Sequence, residues 1–326
     1  METVKRLFSN PTSLIGIVLL FLYILVAIFA PLIAPPPENS RDPYMIPRDG
    51  FGTTPLLPNE DHILGTTEGQ FDIFYGVVWG TRTSFRVGVA VTIMTTLIGL
   101  IIGSFSGFYG GWVDEILMRI TEIFQAFPFL LAAITLTSVL QTLYGRGESS
   151  PFLFVIKVLA FITFGHNPSK PLDPIQMQIL TGMLAIISFS WMTYARVIRG
   201  NILSVKGYEY AQAARVIGAR NIRILVRHLL PNAVFPVLVL ASMDIGAYVL
   251  TFAALSFLGL GAQRGYADWG QMISFARNWI PSLSEYWHIV VYPGVAIILF
   301  VLSWNLVGDA LRDILDPRMR GKGIGL

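Results

Sequence analysis

Residues 208–231 read YEYAQAARVIGARNIRILVRHLLP, and the architecture of the chain turns on this stretch. It is too polar to cross a bilayer and too regular for an unstructured loop. Tyr208–Ile217 is rich in helix formers, alanine foremost. Gly218 stands where a C-terminal glycine ends a helix. Asn221 is placed to cap a second short helix, Ile222–Leu230, and Pro231 follows it. Two short helices around a glycine turn make a compact knob. The second is basic, with Arg223 and Arg227 four apart and His228 beside them. A knob of this kind suits docking into a groove on a soluble partner.

The surroundings of the knob are apolar. Of 326 residues, 54% are hydrophobic and 13% charged, against about 25% charged in ordinary soluble domains. Mean hydropathy is +0.62. That polarity deficit predicts an all-α integral membrane protein. The net charge of +3 marks no basic face on a soluble domain, so no nucleic-acid partner is expected. The absence of cysteine excludes disulfides, thiolate metal sites and a Cys nucleophile.

A bilayer core of about 30 Å takes roughly 20 apolar residues as helix. Six spans satisfy this: Ser13–Ala34, Phe85–Tyr109, Ile116–Leu143, Ile179–Tyr194, Leu229–Leu260 and Ile289–Leu306. The first outruns the apolar core of a cleaved signal peptide and reads as a retained helix. In the second, Gly99, Gly103 and Gly107 recur every four residues. That face favours tight intramolecular packing over a substrate role. The third starts polar, with Asp114, Glu115, Arg119 and Glu122. Glu115 and Arg119 are spaced to pair, and Pro128 predicts a kink. Pro151–Gly165 is too short to span and reads as an interfacial or surface helix, with a re-entrant segment as the alternative. Pro236 and Pro293 are tolerated within spans because neighbouring helices satisfy the freed carbonyls.

Loop charge orients these spans. The 195–228 loop holds Arg196, Arg199, Lys206, Arg215, Arg220, Arg223 and Arg227 against Glu209. The tail adds Arg312, Arg318, Arg320 and Lys322. Loop 35–82 sets Arg41, Arg48 and Arg82 against Glu38, Asp42, Asp49, Glu60, Asp61, Glu68 and Asp72. By the positive-inside rule the 195–228 loop and both termini are cytoplasmic. The expected organisation is a cytoplasmic N-terminus over 1–12, a first span over 13–34, an extracytoplasmic loop over 35–82, a membrane domain over 83–317 that includes the 207–231 loop, and a cytoplasmic tail over 318–326.

Within the knob, Gln212-Ala213-Ala214, three residues, Gly218, nine residues and then His228-Leu229-Leu230-Pro231 resemble the EAA loop of ATP-binding-cassette (ABC) importer permeases. Gln212 stands for the family's acid and His228 for its Ile; Glu209 lies one turn before Gln212. The likeness covers nearly the whole chain. His62-Ile63-Leu64-Gly65-Thr66 is similar to the HxLGT of dipeptide/oligopeptide permeases, and Gly80-Thr81-Arg82-Thr83-Ser84 to their GARxSL. Phe108-Tyr109-Gly110-Gly111-Trp112, Asp114 and Leu117-Met118-Arg119 resemble GYxGGxxDxxLMR. Phe127-Pro128 matches AFP, and Tyr194–Gly200 matches YARxxRG. Ser256–Gly261, Asp268-Trp269-Gly270 and Gly308–Arg318 match the second permease type of that family. Thr67, Gln70-Phe71 and the longer 144–175 stretch depart from it, all on the outer side.

The resemblance implies a type I ABC-importer permease fold with six transmembrane helices and cytoplasmic coupling helices, in the cell membrane of a prokaryote. It implies a second related permease subunit, two ATPase subunits carrying ATP and Mg, an extracytoplasmic substrate-binding protein, and no cofactor on this chain. The coupling residues it points to are Glu209, Gln212, Ala213, Ala214, Gly218, Arg223 and Arg227. The family's solutes are mostly di- or oligopeptides, with oligosaccharides and nickel in some members.

Asp244 lies inside the fifth span, where an acid is costly. It reads either as a contact for a peptide amino group in the path or as a partner for a polar residue on a neighbouring helix. Asp309, Arg312, Asp313, Asp316 and Arg318 read as a salt-bridge network at the last helix end, or as a contact for the loop or ATPase. Tyr109, Trp112, Trp191, Trp279 and Trp287 read as interface anchors. His62, His166, His228 and His288 form no metal-binding spacing, no catalytic constellation appears, and no GxxxxGK[ST] occurs. A stand-alone secondary transporter or channel would show inverted repeats or several intramembrane charges; only Asp244 is of that kind.

Overall fold

The computed structural model describes residues 10–38, 40, 42–145, 153–167 and 172–315. Arg41, Asp316, Pro317, Arg318, Arg320 and Lys322 lie outside them. Among the described residues there are helices and isolated bridges but no strand. Among the described residues five helices are long and apolar enough to cross a membrane, and six spans result if one bent pair counts as a single span.

α1 (Pro11–Ile33) starts on Asn10, whose side chain accepts from the Thr12 amide. α2 (Ile73–Tyr109) is 37 residues long and starts twelve residues before the apolar run, because Asp72 caps it through the Tyr75 amide at 2.7 Å. Helix thus begins within the segment 35–82 that was expected to be loop. α3 (Gly111–Gln125) and α4 (Phe129–Gly145) meet at 86°. A single kinked span was expected here. Pro128 lacks an N–H and disfavours helical geometry at Phe127, so the chain breaks rather than bends. α5 (Leu153–Phe164) buries Ile156, Leu159 and Ala160 and packs against α6 (Pro174–Ser188). It is a surface helix laid on the bundle. α6 and α7 (Trp191–Val205) run on as one span from Pro174 to Val205. α11 (Phe235–Phe257) and α13 (His288–Leu315) complete the set.

The glycine face of α2 lies on α7. A Cβ on Gly99 would sit 2.3 Å from the Tyr194 Cβ, and one on Gly103 would sit 2.2 Å from the Ala195 carbonyl oxygen. Only glycine permits this approach, and in lipid such close packing is what holds helices together. At one end of the bundle, Gly16 of α1 abuts Leu306 of α13 and Gly308 of α13 abuts Met243 of α11. The start of α1, the end of α13 and the segment leading into α11 therefore share one end with the knob. At the other end, the Trp79 indole donates to the Ala34 carbonyl at 2.8 Å, joining α1 to α2.

That far end carries a folded cap. The Ile46 amide donates to the Gly265 carbonyl at 2.8 Å and the Ala267 amide to that of Tyr44 at 2.7 Å. The Glu68 carboxylate accepts from Arg264, Asn278 and Trp279. His62 is gripped on both ring nitrogens, by Asp72 at 2.7 Å and Asp49 at 3.0 Å. Burial opposes its protonation, but the two carboxylates outweigh burial and raise its pKa. The charged imidazole therefore stabilises the cap in full below the ordinary imidazole range, and that stability is lost as pH rises through the raised value. The melting advantage of the natural chain over His62→Gln is expected at about pH 5 and should shrink toward about pH 9; an advantage independent of pH would refute the clamp.

Several expected contacts are replaced. Arg119 pairs with Glu122 at 3.2 Å instead of Glu115; both acids lie within helical reach, and the pair is exposed. Trp191 is 7% exposed and packs with Phe124, so it is a core residue and no interface anchor. Trp112, Tyr109 and Trp287 stay exposed. Asp309, Arg312 and Asp313 are exposed with no ion pair among them, so the network does not form between the described residues.

A candidate coupling site

The knob forms from local rules. α8 (Glu209–Val216) begins after Tyr208. It ends where Gly218 adopts φ +79°, the left-handed conformation that glycine takes freely. The Gly218 amide donates to the Arg215 carbonyl and the Ala219 amide to that of Ala214, both at 3.0 Å, which satisfies the carbonyls of the last turn. The Gln212 side-chain Nε2 donates to the Gly207 carbonyl at 3.0 Å, closing the start of the loop. A carboxylate cannot make that bond, so the departure from the EAA pattern has a local use.

The second half differs from expectation. Asn221 is the first residue of α9 (Asn221–Ile224) and Arg220 holds the capping position without a side-chain bond. The helix then widens into a π segment, Leu225–Leu229, before α10 (Leu230–Ala233). Pro231 has no N–H to return to the Arg227 carbonyl and its ring crowds that carbonyl, which disfavours a regular α-helical turn just before it. Such π segments recur at functional sites.

The knob has an inside and an outside. Ala211, Ala214, Ile224, Leu225 and Leu229 are buried and hold the helices together. Outside, Val216 is 87% and Ile217 83% exposed, at the tip beside the Gly218 turn. Glu209, Gln212, Ala213, Gly218, Arg223 and Arg227 are exposed as well. Of the predicted coupling residues, only Ala214 faces inward. The apolar tip was missed in sequence, although Val216-Ile217 beside a helix-ending glycine is a readable signal.

The knob is tied into the bundle at its root. Asp114 at the start of α3 takes two bonds from Arg199 of α7, both 2.6 Å, and a third from the Ser106 hydroxyl of α2. Lys206, at the base of the knob, donates to the Phe108 carbonyl at the end of α2, where a cation suits the helix dipole. Asn201 of α7 donates to the Ala233 carbonyl at 2.9 Å, linking the two strands of chain that enter and leave the knob. The Asp114–Arg199 fork is 19% and 34% exposed, so its removal costs less than that of a fully buried pair. Arg199→Gln is expected to lower stability by about 2 kcal/mol. A double-mutant cycle with Asp114→Asn, read by thermal melting, should return a coupling energy above about 0.5 kcal/mol; strict additivity would refute the fork.

Asp244 of α11 accepts from the Tyr194 hydroxyl of α7 at 2.6 Å. Of its two readings, the structure supplies the neighbouring-helix partner. The acid and Tyr194 meet beside the glycine face of α2.

The fold is a multi-pass helical bundle bearing a basic, apolar-tipped knob at one end and a folded cap at the other. The comparisons with known proteins specify it further. The chain belongs to the family described as binding-protein-dependent transport system inner membrane component, whose model matches residues 99–321. The N-terminal TM domain of oligopeptide transport permease C matches residues 1–55. The dipeptide transport system permease protein DppC of Alkalihalophilus pseudofirmus is 32% identical over 98% of this chain and 90% of its own length. The oligopeptide transport system permease protein OppC of Bacillus subtilis is 35% identical over 98% and 90%. The glutathione transport system permease protein GsiD of Escherichia coli O6:K15:H31 is 35% identical over 97% and 90%.

Proposed function

We propose that this chain forms half of the translocation path of an ATP-driven importer for short peptides. In this reading a second, related permease subunit supplies the other half, two ATPase subunits dock on the 207–231 knob, and an extracytoplasmic binding protein delivers solute to the cap. ATP and Mg belong to the ATPases; this chain binds no cofactor of its own. Both termini and the knob face the cytoplasm, an orientation supported by the loop charges. The peptide preference draws on relatives named for dipeptide, oligopeptide and glutathione transport, the last carrying a peptide-like solute. Oligosaccharides or nickel are the alternative solutes.

The observation that carries the reading is the exposed Val216-Ile217 tip on a knob that also exposes Arg223 and Arg227. Exposed aliphatic side chains on an element that also exposes arginines suit a protein-docking surface. Movement imposed on the knob reaches α7 through Lys206 and α11 through α10. From α7 it passes to α2 and α3 through Arg199 and Asp114. This is the lever that alternating access needs. Asp244, bonded to Tyr194 where α7 and α11 meet, is placed to respond to the same movement and to meet a peptide amino group when that bond opens.

Co-expression with candidate ATPase and second-permease subunits tests the reading. The ATPases should co-purify with the chain, and the assembly in liposomes should take up peptide only with ATP and binding protein. Retention of the ATPases by Arg227→Glu would remove the docking role from that residue. Movement of solute by this chain alone down an ion gradient would overturn the whole reading.

A further inference from the structure

The cap end contains a pocket that the coupling knob does not explain. It lies between the start of α6, the turn after α11, and α12 (Trp269–Ser274) with the 3-10 segment Phe275–Ser282 that follows. Its volume is about 540 Å³, within the range of small-molecule sites. Gln178, Gln271, Arg277, Asn278 and the Phe275 ring line it. We infer that this pocket holds the terminal carboxylate and last peptide group of a short peptide. The inference rests on the peptide-importer reading above and assigns a subsite to it.

Three observations carry it. First, the wall is built of amides and guanidinium groups, the side chains that pair with peptide groups and carboxylates. Second, the cations differ in availability. Arg264 is engaged by Glu68 at 3.3 Å, and that carboxylate is further bonded by Asn278 and Trp279. Arg277 has no carboxylate partner among the described residues. Its Nε donates to the Ser274 carbonyl at 3.2 Å, and its guanidinium lies 4.9 Å from the centre of the Phe257 ring. That stacking fixes the plane of the fork and leaves its terminal nitrogens for a ligand. Third, Gln271 lines the pocket and is 2% exposed; its Oε1 accepts from the Gly265 amide at 3.3 Å, while its Nε2 is buried with no partner among the described residues. A buried donor left unpaired is costly, so a ligand oxygen that reaches it as the wall adjusts is held. Glu68 takes three donors of its own, and Arg277 is not among them.

The test uses the assembled importer in phosphatidylcholine nanodiscs without the binding protein, so that protein's own selectivity is not read. The probes are labelled trialanine and trialanine C-terminal amide. The natural assembly is expected to bind the acid about tenfold more tightly than the amide, or better. Arg277→Gln should erase that preference and Arg277→Lys should restore part of it, while subunit assembly and basal ATPase rate stay unchanged. Equal binding of acid and amide by the natural assembly, or a preference that survives Arg277→Gln, overturns the subsite. So does loss of trialanine binding in anionic-lipid nanodiscs together with a phospholipid held through Arg277 in native mass spectrometry, which would make the pocket a lipid-phosphate site. ATP-driven uptake by the natural assembly separates the two levels. Peptide import with no acid preference in the pocket sinks the subsite alone, whereas an assembly that imports no peptide sinks the functional reading.

Discussion

Gly103→Leu is expected to cost about 3 kcal/mol or more and to melt the purified chain well below its natural temperature. A Cβ at this position would sit 2.1 Å from the Ile198 Cγ2 and 2.2 Å from the Ala195 carbonyl oxygen, inside the 3.0 Å that real Cβ contacts essentially never breach. The second neighbour is backbone, so no rotamer change relieves it. α2 and α7 must move apart, and with them go the contacts at Gly99 and Gly107 and the alignment of Asp114 with Arg199. Lipid offers no hydrophobic gain to offset that loss, because acyl chains are as apolar as the side chains they replace. Gly200→Ala is the control. It lies on α7, has open space around it, and is expected to leave melting unchanged or raise it slightly through better helix propensity. If Gly103→Leu melts within a degree or two of the natural chain, the close α2–α7 contact is wrong.

The second large effect is on assembly. Ile217→Asp places a charge on a side chain that is 83% exposed. The chain's own melting should therefore stay unchanged. If the tip inserts into an ATPase groove, burying an unpaired carboxylate there should weaken ATPase binding by about a hundredfold or more. Gly218→Val reaches the same end by another route. At φ +79° a β-branched residue is strained, so the turn re-forms and the tip points elsewhere. Binding of purified ATPase to nanodisc-held chain reads both variants. Ile217→Asp with natural ATPase affinity would show that the tip is not the docking surface.

Much of this protein is legible along the chain, because the signals are local. The span of α1 shows in hydropathy alone. The turn at Gly218 shows because a glycine after an alanine-rich helix has one common use. The spacing of Gly99, Gly103 and Gly107 announces a close-packed face, though it does not say which helix lies on it. What the chain order hides is partner choice. Arg119 had two acids in reach and took Glu122. Asp114 found Arg199, 85 positions away. Asp244 found Tyr194, 50 positions away. Glu68 joins residues 196 to 211 positions distant. A charged side chain carries no local mark of its partner; which groups meet depends on how helices cross.

Hydropathy and turn residues thus point to the apolar spans and the knob, and the quoted motifs to the family, since each signal is carried by a short segment of chain. Tertiary packing alone decided that α7 rather than another helix fills the glycine face of α2, and that among the described residues Arg264 meets a carboxylate while Arg277 does not. Those outcomes rest on distances between segments far apart in the chain, and only the folded arrangement of helices sets such distances.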